Sequence, residues 1–294
     1  MTSPTARPHR SLLYMPGDKA KVLEKAKTLP ADTLMFDLED AVAPDNKPAA
    51  RDAVAAATQA GGYGQRELVI RINGLDTEWG EADLQAAVSA GPDAVLVPKV
   101  ETGDDIRQLD AALTKAGAPD TLGLWVMIEM PKAVLNIQEI AAAAEATRLA
   151  AFVMGTNDLA KEYRALWTPD RLAFQTALSL SVAAARAYGL LAIDGVYNDI
   201  QNLDGLRAEC EQGRTLGFDG KTLIHPAQLD ITNEVFSPAP EDITQAQAVI
   251  AAFELPENKG KGVIKVNGKM TELLHLEEAH QTVAIAEAIA AMNG

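Results

Sequence analysis

Two carboxylates and one guanidinium in this sequence stand where charge is hardest to keep. Glu129 lies near the end of the apolar run "LWVMIEM", Asp158 follows "LAAFVMGT" by two residues, and Arg71 interrupts "ELVIRIN". An unpaired charge on a buried strand is costly, so each of the three needs a partner. On neighbouring strands, about 4.8 Å apart, the two carboxylates can share one cation. With no Cys or His beside them, an all-oxygen site with open positions suits Mg²⁺, with Mn²⁺ as the alternative, rather than zinc. The competing arrangement pairs one carboxylate with Arg71 or Lys99. Arg71 cannot shed its proton and therefore requires an anion, either a carboxylate of the protein or an oxyanion formed in a reaction.

Positioning these groups calls for strands, and the sequence supplies them. Short apolar runs occur at 11–16, 33–39, 67–73, 94–100, 124–130, 149–156, 190–197 and 221–226, with amphipathic helical stretches such as "KAKVLEKAKTL" and "ADLQAAVSA" between them. Runs buried on both faces, each followed by a helix, indicate parallel strands with crossover helices. Eight such units point to an α/β fold, a closed (β/α)₈ TIM barrel, over a six- or seven-strand open sheet. The barrel is expected to occupy residues 10–230 as the catalytic domain. The Ala-rich stretch at 139–147 is read as helix, Ala being the strongest helix former. Residues 231–294 read as a helix, a two-stranded ribbon turning at Asn267-Gly268, and a closing amphipathic helix. That extension is too small for a robust core of its own and is expected to pack on the barrel or on a neighbouring subunit.

In such a barrel the active site lies at the carboxyl ends of the strands. The exits carry Asp18 and Lys19; Asp37, Glu39 and Asp40; Arg71 and Asn73; Lys99 and Glu101; Glu129; Asn157 and Asp158; Asp194 and Asn198; and His225. Charged and polar groups are thus expected to converge on one rim. His225 reads as fixing the last exit and Met127 and Met130 as packing. His275 and His280 fall on the tail helix, solvated or at the edge of a core.

The 294 residues carry 26 basic and 41 acidic side chains, a formal charge of −15, which argues against a nucleic-acid groove. No run approaches the roughly 20 apolar residues that span a bilayer. The polar start "MTSPTARPHR" is followed by no apolar leader segment, so a cytoplasmic location is expected. The single cysteine, Cys210, excludes an intramolecular disulfide framework and reads as structural.

The blocks "RSLLYMPGDK", "MFDLEDAV", "VIRIN", "VLVPKVE", "MIEMPKAV", "MGTNDLA" and "GFDGKTLIHPAQ" follow one another over residues 10 to about 230. In that order they resemble the citrate lyase β-subunit family of the wider HpcH/HpaI aldolase superfamily, which includes malyl-CoA and citramalyl-CoA lyases and malyl-CoA thioesterases. "GKGVIKVNGKM" extends the likeness into the tail. The resemblance implies a Mg²⁺-dependent enzyme acting on acyl thioesters, with the metal carboxylates at Glu129 and Asp158 and the oxyanion arginine at Arg71. Asp37, Glu39 and Asp40 would then surround the cation site without coordinating it. Gly155, Thr156 and Asn157 would admit the anionic product half close to backbone N–H groups, and Lys19, Lys21 and Lys25 would meet the phosphates of the CoA arm.

One departure stands out. The family usually reads "GKMID" followed by Pro, its Asp being thought to reach a neighbouring subunit's site; this chain reads "GKMTELL" and places Glu272 there. Glu272 carries its carboxyl one methylene further, and proton transfer depends on reach. The function expected first is therefore Mg²⁺-dependent carbon–carbon cleavage of a β-hydroxyacyl-CoA thioester of malyl, methylmalyl or citramalyl type to an acyl-CoA and a 2-oxoacid. The alternatives are hydrolysis of the same thioesters, a citrate lyase β-subunit acting on an acyl-carrier protein, and a non-catalytic acyl-CoA-binding barrel. A tail that acts in trans implies a homo-oligomer, a trimer or hexamer.

Overall fold

The computed structural model describes residues 7–293. Eight parallel strands, β1 (Ser11–Pro16), β2 (Thr33–Asp37), β3 (Glu67–Arg71), β4 (Ala94–Val97), β5 (Gly123–Ile128), β6 (Leu149–Met154), β7 (Leu191–Asp194) and β8 (Gly220–Leu223), pair in sequence order. Pairing of β1 with β8 closes them into a barrel. Helices follow the strands, so the expected α/β barrel is the observed one.

Strand alternation sorts the side chains into two layers. Leu12, Met35, Val69, Leu96, Trp125 and Val153 fill the barrel interior, while Leu13, Leu34, Phe36, Ile70, Val126 and Phe152 pack in the layer that includes the helices. The same period carries the chemistry. Two residues beyond the interior Leu12, Met35, Val69 and Met127 stand Tyr14, Asp37, Arg71 and Glu129, which line a cavity at the carboxyl ends of the strands.

Alternation also corrects one expectation. Ile193 is in the interior cluster, so Asp194 faces the other way, and not every exit charge points into the rim. Asp194 is fully buried in an ionic network: Arg171 Nη1 donates to its two carboxylate oxygens at 2.7 and 2.9 Å, and Lys221 Nζ lies 3.3 Å from it. Lys221 in turn contacts Glu209 at 2.6 Å. Arg171 sits in the left-handed region (φ 52°), outside regular helix. Regular helix therefore begins only at Gln175, four residues further on. The Ala-rich stretch read as helix at 139–147 is α-helical only to Ala142, in a helix Ile137–Ala142 that Asn136 separates from Pro131–Leu135, and it continues as a tighter 3-10 turn over Ala143–Ala146.

The described chain divides into two compact units, His9–Phe236 and a second made of Arg7 and Pro8 together with the residues from Ser237 onward. The barrel unit runs six residues past the expected boundary at 230 because the helix Leu229–Phe236 buries Leu229, Val235 and Phe236 in the barrel's outer core. Its Thr232 also meets the buried Cys210 at 3.6 Å. The second unit consists of the helix Pro240–Glu254, the antiparallel ribbon β9 (Val263–Val266) and β10 (Lys269–Glu272), and the helix Leu273–Asn293. Ala246, Val249, Ile264, Val266 and Ala279 form its core. Asn267 and Gly268 both have positive φ (49° and 81°), as a two-residue hairpin turn of this sequence requires.

Removing one member of a buried ionic network leaves an uncompensated charge, at a cost of about 3–5 kcal/mol. Asp194→Ala is expected to lower the unfolding free energy by about that amount in urea titration, since Arg171 and Lys221 would be left with Glu209 alone.

Candidate active site

Asp37 and Arg71 are register partners on adjacent strands. Arg71 grips Asp37 with both edges of its fork, Nε to Oδ1 at 2.7 Å and Nη2 to Oδ2 at 2.6 Å. The backbone N–H groups of Glu39 and Ala41 donate to the same two oxygens. Burial pushes the Asp37 carboxyl up, but the guanidinium and these N–H donors hold it below the usual range. Arg71 Nη1 reaches Glu39 at 3.0 Å and Asp40 at 3.6 Å, and the guanidinium lies 4.6 Å from the centre of the Tyr14 ring. Burial raises the Tyr14 phenol, Arg71 opposing, so Tyr14 stays protonated at neutral pH.

The loop after β2 is anchored by Lys47. Its buried ammonium donates to the carbonyls of Leu38 and Glu39 and to Asn73 Oδ1, all within 2.9 Å. Asn73 in turn bonds Asp83. Lys99 ties β4 to this group: its Nζ contacts Glu39 at 2.7 Å, and its backbone N–H donates to Glu129 Oε1 at 2.8 Å. That second bond depends on a left-handed backbone at Lys99 (φ 56°), uncommon for a residue other than glycine.

Glu129 is 1% exposed, and one of its oxygens is committed to Lys99. Burial first, then the neighbouring Glu39 and Asp158 carboxylates, push it up to about 8. Asp158 lines the same cavity, and among the described residues it makes no hydrogen bond or ion pair. A cation between Glu129 and Asp158 would answer both observations: it would offset the mutual repulsion and use oxygens that no protein donor occupies. Two hard carboxylates with the remaining positions open to water or ligand fit Mg²⁺ or Mn²⁺. Among the described residues no cluster of three or more His, Cys, Asp or Glu forms a closed metal cage.

Gly155 is dictated by this pair. A Cβ there would strike the Glu129 side chain, its Cβ at 2.5 Å and its carboxylate closer still. The chain then turns into the helix Thr156–Tyr163, so the residues "TNDLAKEY" that follow the strand are helix and not a loop. The Thr156 hydroxyl is buried without a hydrogen-bond partner and borders the cavity. Free N–H groups at a helix start favour an anion.

The cavity, about 260 Å³, therefore gathers Asp37, Asp40, Arg71, Glu129 and the 155–158 segment. Glu39 enters through its contacts to Arg71 and Lys99. Lys19, Lys21 and Lys25 are exposed and do not line it. His225 caps the turn after β8, its Nδ1 accepting from Ala227 N–H at 3.1 Å. Glu272 belongs to the second unit, exposed at the end of β10, where its N–H donates to His275 Nδ1. Tyr14 and Lys47 were not singled out from sequence. Tyr14 alternates with Leu12 in "SLLYMP", a signal the two-residue period offered; nothing local marks Lys47.

Comparison with known proteins follows the same lines. The family model HpcH/HpaI aldolase/citrate lyase matches residues 10–226. The chain belongs to that family. Among curated relatives, a (3S)-malyl-CoA thioesterase of Cereibacter sphaeroides (strain KD131 / KCTC 12085) is 54% identical over 288 residues, 98% of each chain. The citrate lyase subunit beta of Escherichia coli (strain K12) is 35% identical, over 96% of this chain and 94% of its own. Among solved structures, CitE from Mycobacterium tuberculosis in complex with magnesium, acetoacetate and coenzyme A superposes with a TM-score of 0.75 at 27% identity, over 97% of this chain and all of that one. The relatives are enzymes, and this chain is an enzyme of the same aldolase and lyase superfamily.

Two outcomes are expected. Glu129 is raised from 4.5 unfolded to about 8 folded, so the metal-free chain holds a proton there that the unfolded chain has released. That contribution to stability is full below pH 4.5 and is lost as pH rises toward about 8. Urea titration of metal-free protein across this range is expected to show the decline, and Glu129→Gln to remove it. Gly155→Ala displaces Glu129 and is expected to weaken Mg²⁺ binding by about 10- to 100-fold in calorimetry, as disturbed ligand orientation does elsewhere.

Proposed function

We propose that this enzyme acts, with Mg²⁺, on the CoA thioester of a small hydroxy diacid of the malyl type, and that its reaction is hydrolysis of the thioester. The observation that carries the reading is the convergence of Glu129, Asp158 and Arg71 on one cavity. The full-length 54% identity to a (3S)-malyl-CoA thioesterase supports hydrolysis ahead of the carbon–carbon cleavage expected from the sequence.

Glu129 and Asp158 would hold the ion, which when bound supplies Lewis-acid charge to the hydroxyl and carboxylate oxygens of the acyl group. The N–H groups at the start of the Thr156 helix and the unpartnered Thr156 hydroxyl receive the acyl carboxylate. Arg71 faces the thioester oxygen and stabilises the negative charge that develops there, Asp37 and Glu39 fixing the direction of its fork. Removing a donor of this kind costs about 10²–10³ in turnover. Lys19 and Lys21 are proposed to meet the phosphates of the CoA arm. Glu272 is proposed as the carboxylate that positions the attacking water in a neighbouring subunit of a trimer or hexamer.

Carbon–carbon cleavage is the second reading, because a guanidinium placed at the thioester oxygen stabilises an enolate as well as a tetrahedral oxyanion. Product analysis with malyl-CoA and Mg²⁺ separates the two: malate and free CoA support hydrolysis, glyoxylate and acetyl-CoA replace it with the second reading, and the absence of both pairs overturns the proposal altogether. Arg71→Lys keeps the charge but loses the fork, and is expected to lower kcat by about 10²-fold while leaving Mg²⁺ affinity within a few-fold.

A further inference from the structure

A second cavity, about 440 Å³, adjoins the catalytic one and shares Val196 with it. Its walls come from the 167–169 loop, the segment after β7 and the helix Leu203–Leu216. Trp167, Pro169, Tyr197 and Ala208 make it largely apolar. A Cβ at Gly205 would overlap the Tyr197 hydroxyl, so the glycine lets the phenol lie against the helix. The charged groups lining it are Asp199 and Glu209, with no Lys, Arg or His among the described lining residues. Such a pocket disfavours a carboxylate or phosphate and accepts an uncharged, non-polar group. Between the two cavities runs a reciprocal amide pair: Asn198 Nδ2 donates to Asn157 Oδ1 at 2.7 Å, and Asn157 Nδ2 to Asn198 Oδ1 at 3.3 Å. Both residues are exposed, so water competes for each bond.

We propose that this second cavity is a side-chain subsite for non-polar substituents on the hydroxyl-bearing carbon of the acyl group, and that the Asn157–Asn198 bridge sets the size limit for entering it. The inference rests on the function proposed above. In the proposed binding mode the hydroxyl lies on the cation side at Glu129 and Asp158 and the carboxylate at the start of the Thr156 helix, and the part of the same cavity wall left for the third substituent includes Asn157 and Val196. With the bridge closed, small substituents are accepted; with it open, the two cavities form one cleft and an alkyl chain reaches Trp167 and Tyr197.

The test compares wild type, Asn198→Ala and Asn198→Ala/Ala208→Phe, the last filling the second cavity from its far wall. Two readouts are taken: kcat/KM for 2-butylmalyl-CoA relative to malyl-CoA, and, by calorimetry with Mg²⁺, the affinity for 2-oxohexanoate relative to pyruvate. Asn198→Ala is expected to raise both ratios by about tenfold, in line with the effect of methylenes in an apolar pocket, and the double variant to return them to wild type. Malyl-CoA turnover with both ratios unchanged in Asn198→Ala overturns the subsite and leaves the proposed function standing. If no variant turns over malyl-CoA, the proposed function falls, and the oxo-acid ratio alone decides the subsite. Failure of both acids to bind overturns it too.

Discussion

A guanidinium inside a barrel has no protonation state to retreat to, and the arrangement around Arg71 follows from that constraint. Its charge persists at any pH the fold survives, so carboxylates must be brought to it. Asp37 comes from the neighbouring strand at the same register level, and Glu39 and Asp40 from the turn beyond. Lys47 and Asn73 then hold that turn through its carbonyls. Most of the polar bonding on this side of the barrel thus keeps one fork pointing in one direction. Across the cavity the balance is reversed: Glu129 and Asp158 meet fewer protein cations, and Glu129 is raised by burial first and by the neighbouring Glu39 and Asp158 carboxylates after it. A cation-deficient half thus faces a charge-matched half.

The network of Arg171, Asp194, Glu209 and Lys221 shows what the same residue types do when they are closed in. There two cations meet two carboxylates, and three of the four groups are 1% exposed or less. It braces β7 and β8 against the helix Leu203–Leu216 and forms no part of the catalytic cavity. Composition does not separate the two clusters. What separates them is strand parity: one set extends the interior column of Met35, Val69 and Met127, the other the outer column.

That parity explains what was legible in the sequence. The eight runs, their parallel pairing and the hairpin at Asn267-Gly268 could be read because buried strands and two-residue turns leave local patterns. Glu129, Asp158 and Arg71 could be read because each breaks an apolar run. Asp194 was misplaced because a strand exit was counted without asking which face it showed. Lys47 was missed because its three acceptors come from residues 8 to 26 positions away. The starts of the Thr156 and Gln175 helices were obscured by residues that serve turns equally well, and the Leu229–Phe236 helix by its place just past the last strand. The compact second cavity has no sequence signal, since its walls come from three separate segments.

The tie between Asp37 and Arg71 is a rung of the ladder itself, and this ranks the chain's tolerance of insertions and deletions. A single residue gained or lost inside β3 would exchange the guanidinium with Ile70 or Ile72, sending a fixed charge into the helix layer and an isoleucine into the cavity. Length variation among descendants of this sequence should therefore gather between strands and helices, while the strands themselves keep their residue count.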